Sequence, residues 1–172
     1  MQAMGAKVVA YDIKPNPYLE NLGIYVDSLD EVLQQADILT LHTPLAKSDI
    51  HMIDANAITK MKDGVVIINA ARGGLIDTEA LIAGLDSGKI GGAGLDVLEG
   101  ENAVFQKKFK SLDDVKDPQF KNLISRDNVI ITPHTAFYTT TAVHNMFFDS
   151  LTDNLAMLEG KEPKYPVDIS ED

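Results

Sequence analysis

The sequence predicts an α/β fold built on a parallel sheet, and three observations carry that expectation. Short apolar runs of β type alternate with amphipathic stretches of helical period. Several runs are apolar at consecutive positions, as in Val65-Val66-Ile67-Ile68 and Val129-Ile130-Ile131, the pattern of strands buried on both faces of a parallel sheet. Helix start and stop signals punctuate the intervals between runs. Such alternation implies right-handed crossovers, helices on both faces of the sheet, and function collected in the loops at the carboxyl ends of the strands.

The β-type runs are residues 7–11, 37–41, 65–69, 93–97 and 129–132, with a short candidate at 23–26. Ser28 followed by Glu31 has capping-box spacing ahead of Val32, Leu33 and Ala36. Asp54 is placed to cap a helix carrying Ile58 and Met61 that ends before Gly64. Asp77 is placed to cap another, with Leu81, Ile82 and Leu85, stopped by Gly88. The longest helix is expected over about residues 141–159. Val143, Met146, Phe147, Leu151, Leu155 and Leu158 lie along one of its faces, and Gly160 closes it. Residues 102–127, of weak period and mixed charge, read as a long surface excursion, and residues 161–172 as an exposed acidic tail.

Composition narrows the function classes. A chain of 172 residues, 45% hydrophobic and 24% charged, suits one ordinary soluble globular domain. With 26 acidic against 15 basic residues and a net charge of −11, it is a poor nucleic-acid binder. No apolar run approaches the roughly 20 residues of a membrane span. The first residues, Met1 to Lys7, lack the basic start of a signal peptide. The absence of cysteine excludes disulfides and cysteine-based zinc sites, no metal site is expected, and a reducing cytoplasm is the expected location.

The strand ends hold the chemistry. The run 7–11 leads into Asp12, an acid where a dinucleotide fold holds the adenosine ribose, although aspartate also closes many ordinary strands. No G-x-G-x-x-G occurs, and Gly91-Gly92-Ala93-Gly94 leads into a strand instead of opening a helix, so it is no phosphate loop. Leu41-His42-Thr43-Pro44 either ends a strand or flanks a flat ligand. Asn69-Ala70-Ala71-Arg72-Gly73-Gly74 sets an arginine among small residues. Its guanidinium either grips a substrate carboxylate with two parallel hydrogen bonds or pairs with a surface acid. The acid-rich loop Asp96-Val97-Leu98-Glu99-Gly100-Glu101 reads as solvated or as functional. His134, just past a buried strand, reads as structural or, beside Glu101, as an acid/base whose tautomer the carboxylate fixes. A carboxylate clamp, an orienting acid and a proton donor together suit the reduction of a 2-oxo acid, with hydride supplied by a cofactor.

Five segments in order make a pattern: Val9-Ala10-Tyr11-Asp12, Leu41-His42-Thr43-Pro44, Asn69-Ala70-Ala71-Arg72-Gly73, Leu95-Asp96-Val97-Leu98-Glu99-Gly100-Glu101 and Thr132-Pro133-His134-Thr135-Ala136-Phe137-Tyr138-Thr139. On these the chain resembles the D-isomer-specific 2-hydroxyacid dehydrogenases. The aromatic pair Phe137-Tyr138 is similar to the D-lactate dehydrogenase branch, which also holds D-2-hydroxyisocaproate dehydrogenases. The resemblance implies a Rossmann-type parallel sheet and NAD as cofactor. It implies that Arg72, Glu101 and His134 are catalytic, with Arg72 on the substrate carboxylate and Glu101 bonded to His134. Asp12 would take the adenosine ribose, and Thr43 and Pro44 would line the adenine side. Asp49 would contact the cofactor where relatives often carry asparagine. Ala70 and Ala71, with Arg72, would flank the nicotinamide ribose, Asp96 the carboxamide, and Tyr138 or Phe137 the substrate.

The resemblance also implies pieces that this sequence lacks: a first strand, its glycine-rich turn and an N-terminal substrate domain. The expected organisation is a partial NAD-binding domain over residues 1–160 followed by the acidic tail. The expected parent is twice as long and homodimeric. The expected function is interconversion of a 2-oxo acid and a D-2-hydroxy acid, most simply pyruvate and D-lactate. The alternatives are a bulkier substrate of the 2-oxoisocaproate type, or an inactive nucleotide-binding or dimerisation module.

Overall fold

Local capping sets the helices, those opened by Ser28, Asp54 and Asp77 as the sequence predicts and those opened by Asn16 and Asp117 beyond it. The computed structural model describes residues 1–105 and 107–166; Gln106 and residues 167–172 of the acidic tail lie outside the described residues. Asn16 caps α1 (Pro17–Glu20), accepting from the Tyr18 N–H. Ser28 opens α2 (Leu29–Gln35): its Oγ accepts from the Glu31 N–H at 3.3 Å and donates to the Glu31 carboxylate at 3.0 Å. The strand β1 (Ile38–Leu41) follows. Asp54 caps α3 (Ala55–Lys60) through the Ala57 N–H at 2.7 Å, and β2 (Val65–Asn69) comes next. Asp77 caps α4 (Thr78–Ser87), which Gly88 ends at φ 76°, and β3 (Ile90–Leu95) returns to the sheet. Then come α5 (Pro118–Ile124), β4 (Val129–Ile131) and α6 (Thr140–Leu158).

The sheet is parallel throughout, in the order β1-β2-β3-β4. That order corrects the expectation of helices on both faces. Consecutive parallel neighbours joined by right-handed crossovers place every connecting helix on the same side. Accordingly α2, α3, α4 and α5 pack in a row on one another, α4 against β3 and α5 against β4. Leu33, Ile53, Ile67, Leu75, Leu81, Ile90 and Leu123 form the fully buried centre of the core. The other face stays open within this unit: Ile38 and Ile130 are exposed, and Val66 and Ile68 only half-buried.

Two further runs differ from expectation. Residues 7–11 and 23–26 form no strand; they meet in a single parallel bridge, Ala10 with Tyr25, held by Ala10 N–H to Ile24 C=O and Val26 N–H to Ala10 C=O. Two short segments pairing only with each other lack the neighbours and apolar cover that sustain a ladder. The strand expected at 93–97 starts at Ile90 instead, so the glycine cluster lies inside β3. A Cβ on Gly91 would sit 2.6 Å from the Gly64 carbonyl oxygen, so glycine here serves close backbone approach.

The stretch 102–127 is not merely a surface excursion. Val104, Phe105, Val115, Phe120 and Leu123 are buried. The Phe120 ring is met edge-on by Phe105 at 6.2 Å between centroids and at a tilt by Phe109 at 6.4 Å. Asp117 caps α5 through the Phe120 N–H at 2.8 Å, with Pro118 at its first position. Aromatic anchors spaced 4 and 11 residues apart have no single period, which hides them from a periodicity search.

The chain divides into two compact units, Met1–His134 and Thr135–Asp172. The second unit is built on α6, capped by the Thr139 hydroxyl on the Ala142 N–H. Its start and end match the sequence expectation within a residue. Past Gly160 the chain doubles back, the Lys164 and Tyr165 N–H groups donating to the Asp153 carboxylate at 2.8 and 3.1 Å. None of the described membrane-length helices is apolar enough to cross a bilayer.

Candidate active site

The carboxyl ends of β2, β3 and β4 are tied into one row. Asn69, the last residue of β2, is 1% exposed and works through its side chain and its backbone. Its Nδ2 donates to the Arg72 carbonyl at 2.9 Å and its Oδ1 accepts from the Ala71 N–H at 3.0 Å. Its own carbonyl accepts from the Asp96 N–H at 2.9 Å, and the Asp96 carbonyl accepts from the His134 N–H at 2.8 Å. The turn that carries Arg72, the buried Asp96 and the residue His134 are thus joined by consecutive hydrogen bonds across three strand ends. The Thr132 hydroxyl donates to the Asp96 carboxylate, which adds a side-chain tie between β3 and β4.

His134 takes φ of 53°, a left-handed conformation uncommon for a side chain of this size. Its Nδ1 donates to Glu101 Oε1 at 2.6 Å. The other oxygen of Glu101 accepts from the Leu98 N–H at 2.9 Å, so this acid closes its own loop and holds the imidazole at once. Glu101 is the less exposed partner, at 21% against 42% for the His134 side chain. A carboxylate on Nδ1 fixes the tautomer of the ring.

Arg72 is exposed, and its Nη1 donates back to the Ala71 carbonyl at 2.7 Å. Its turn leans on the acidic loop. A Cβ on Gly73 would lie 2.1 Å from the Leu98 carbonyl carbon and 2.6 Å from the Glu99 nitrogen, which only glycine permits. Ala70 is exposed and Ala71 half-buried, small side chains beside an open backbone. Asp96 is 6% exposed.

The other expected site residues stand on other segments. Asp12 is exposed past the Ala10 bridge, its Oδ1 accepting from the Lys14 N–H at 2.8 Å. Thr43 and the exposed Pro44 follow β1, the Thr43 hydroxyl turned onto the Pro44 carbonyl at 3.3 Å. Asp49 folds onto its own turn, accepting from the Ala46 N–H at 3.4 Å and the Ser48 hydroxyl at 2.9 Å. Tyr138 belongs to the second unit, 70% exposed, with its ring edge-on to Phe137 at 5.9 Å.

Sequence reasoning missed three residues of this assembly. Asn69 carried a signal, a polar residue closing a run that is otherwise buried. His51 and Glu99 carried none, because their pairing joins positions 48 residues apart: His51 Nε2 lies 2.6 Å from Glu99 Oε1. Hydrogen bonding to Glu99 raises the His51 pKa above its ordinary value against some desolvation, with help from the charges of Glu99, Asp77 and Asp54. Burial pushes the Glu99 carboxyl up most strongly of any single influence. The hydrogen bonds from His51 and Thr78, with the His51 charge, together outweigh it and hold Glu99 below its ordinary value.

Residues 1–136 match the family model for the NAD-binding domain of D-isomer-specific 2-hydroxyacid dehydrogenases. The D-lactate dehydrogenase of Lactobacillus delbrueckii subsp. bulgaricus is 50% identical over 169 residues, which are 98% of this chain and 50% of that protein. An aromatic 2-oxoacid reductase of Clostridium sporogenes is 54% identical over 142 residues, 81% of this chain and 42% of that protein. The crystal structure of the Lactobacillus jensenii D-lactate dehydrogenase with NAD+ superposes with a TM-score of 0.87 at 44% identity, covering 97% of this chain and 50% of that one. The chain therefore spans about half the length of the relatives it matches. With the parallel sheet, the Arg72 turn and the Glu101–His134 pair in place, the chain belongs to the D-isomer-specific 2-hydroxyacid dehydrogenase family.

Proposed function

We propose that this chain carries the acid/base and carboxylate-binding half of an NAD-dependent oxidoreductase that interconverts a 2-oxo acid and a D-2-hydroxy acid, with pyruvate and D-lactate as the pair. The observation that carries the reading is the 2.6 Å contact between His134 Nδ1 and Glu101 Oε1, set at the end of the hydrogen-bonded row that holds the Arg72 turn.

The residues fit a nicotinamide dinucleotide. A buried carboxylate, Asp96, and two small residues, Ala70 and Ala71, stand at neighbouring strand ends, where a flat ligand can approach backbone without steric hindrance. Asp96 would hold the carboxamide, Ala70, Ala71 and Arg72 the nicotinamide ribose, Thr43 and Pro44 the adenine side, and Asp12 the adenosine ribose, with Asp49 as a further cofactor contact. A 2′-phosphate would meet the Asp12 charge, which favours NAD over NADP. When bound, the cofactor supplies or accepts the hydride that no side chain provides.

The rest falls to the chain's own residues. The Arg72 guanidinium offers two parallel N–H groups to the substrate carboxylate, fixing its plane as well as its charge. In reduction His134 Nε2 gives its proton to the C2 oxygen as that oxygen gains charge, and in oxidation it takes the proton back. Glu101 holds the imidazole at one angle and in one tautomer.

A bulkier 2-oxo acid is the second reading, favoured by the 54% identity to an aromatic 2-oxoacid reductase. Two measurements test the proposal. Nicotinamide fluorescence on titration with NADH is expected to show binding; none at about millimolar cofactor would favour an inert module over an enzyme. NADH oxidation with pyruvate, 2-oxoisocaproate and phenylpyruvate then ranks the substrates, and pyruvate as the poorest of the three would replace the lactate reading.

A further inference from the structure

The loop that delivers Glu101 also carries Glu99, and Glu99 points at different partners. Its Oε1 meets His51 Nε2 at 2.6 Å. Its Oε2 accepts from the Thr78 N–H at 3.0 Å and from the Thr78 hydroxyl at 2.7 Å. Both partners flank the Arg72 turn. The His51 N–H donates to the Gly74 carbonyl at 2.8 Å, and the Ile53 N–H to the Leu75 carbonyl at 2.9 Å. Thr78 opens α4 directly after that turn and is 6% exposed. Between the two contacts, the backbone at Leu98 and Glu99 lies on Gly73 with no space for a methyl group. His51, like His134, has positive φ, at 56°.

The energetics point to placement more than to stability. The ion pair is open to solvent, with side chains 40% and 33% exposed, and pairs of this kind contribute little to folding. The loop from Asp96 to Glu101 is also held by the buried side chains of Val97 and Leu98, by Asn69 and Thr132 at one end and by His134 at the other. Glu99 supplies a polar anchor between those ends, and it fastens the loop beside the turn bearing Arg72.

We infer that Glu99 is a positioning residue: fastened to His51 and Thr78, it sets the placement of the loop that brings Glu101 onto His134 and keeps that pair at fixed spacing from Arg72. This rests on the reading of Arg72, Glu101 and His134 as the reacting set. Glu99 touches none of the three; it acts through the loop.

The test reads the His134 ring directly, without turnover. The ring-nitrogen resonances of the four histidines are recorded in the purified chain at a pH where the imidazoles are neutral, and His134 is assigned by its loss in His134→Gln. In the unaltered chain the two His134 nitrogens are expected to be well separated, as a single tautomer requires. Glu101→Gln is expected to draw them together, and if it does not, the Glu101–His134 reading itself fails. In Glu99→Ala, which leaves Glu101 in place, they are expected to close by roughly half that separation through tautomer mixing. Glu99→Gln, which retains an oxygen for Thr78, is expected to restore most of it. A separation unchanged in a folded Glu99→Ala, with Glu101→Gln effective, overturns the proposal. Should Glu99→Ala not fold, Thr78→Val decides: it keeps the shape and removes the hydroxyl, so partial closure supports the proposal and an unchanged separation overturns it.

Discussion

Glu101 grips His134 Nδ1 with one oxygen, at 2.6 Å, and its own loop at the Leu98 N–H with the other, at 2.9 Å. The acid therefore orients the imidazole from a base that it helps to hold. Glu101→Gln keeps the shape but removes the charge and offers an amide where a carboxylate accepted. On the proposed function, kcat for 2-oxo acid reduction by the full-length enzyme is expected to fall by about 10²-fold with KM little changed, since the loss would fall on proton transfer. Steady-state kinetics check this, and an equal loss confined to KM would contradict it.

Arg72 is exposed, its turn is held by Asn69, and its guanidinium makes one hydrogen bond back to the Ala71 carbonyl. Arg72→Lys replaces a planar fork with a point charge. The expected result is a fall in kcat/KM of about 10–100-fold with folding unchanged, the scale of one charge-assisted hydrogen bond. Thermal melts beside kinetics separate the two effects, and wild-type kinetics would remove Arg72 from substrate binding.

Asn69 answers for two backbone groups, the Ala71 N–H and the Arg72 carbonyl, from a position 1% exposed. Asn69→Ala leaves both without that partner and opens space beneath them. A loss of about 2–3 kcal/mol in folding free energy is expected, measured by urea denaturation. A loss below about 0.5 kcal/mol would show that water replaces the side chain at little cost.

Gly73 faces the Leu98–Glu99 backbone at a distance no Cβ tolerates. Gly73→Ala has to push the acidic loop away from the Arg72 turn. About 1–3 kcal/mol of destabilisation is expected, together with lower activity. A variant as stable as the original chain would mean that the loop yields freely.

The His51–Glu99 pair predicts a pH window. His51 is raised from 6.5, so its contribution is complete below about 6.5 and fades as pH climbs through the raised value. Glu99 is lowered from 4.5, so its contribution is complete above about 4.5 and fades as pH falls through the lowered value. Asp54 and Asp77 also face His51 and share in raising it. The melting-temperature difference between the original chain and His51→Gln is expected to be greatest between these limits and to shrink on both sides. A difference flat across the range would show that the pair's charge contributes nothing.

The division between sequence and tertiary structure follows from the range of the interactions involved. Caps act over three residues, and so Ser28, Asp54 and Asp77 marked three helices and Gly88 marked an end, all as the sequence predicts. Strand identity at 65–69 and 129–131 was equally legible from consecutive apolar residues. Arg72, Glu101 and His134 stood out as candidates from their place after strands, because a parallel sheet gathers its strand ends at one edge. The contact of His134 with Glu101 spans 33 residues, and no spacing rule supplies it. The side of the sheet on which the helices lie was decided by strand order, a property of the assembled fold. The same holds for the aromatic cluster of Phe105, Phe109 and Phe120, whose members share a packing site but no period. Asn69 and Glu99 belong there as well: their residue types were visible from the start, and only the meeting of separate strand ends gave them partners.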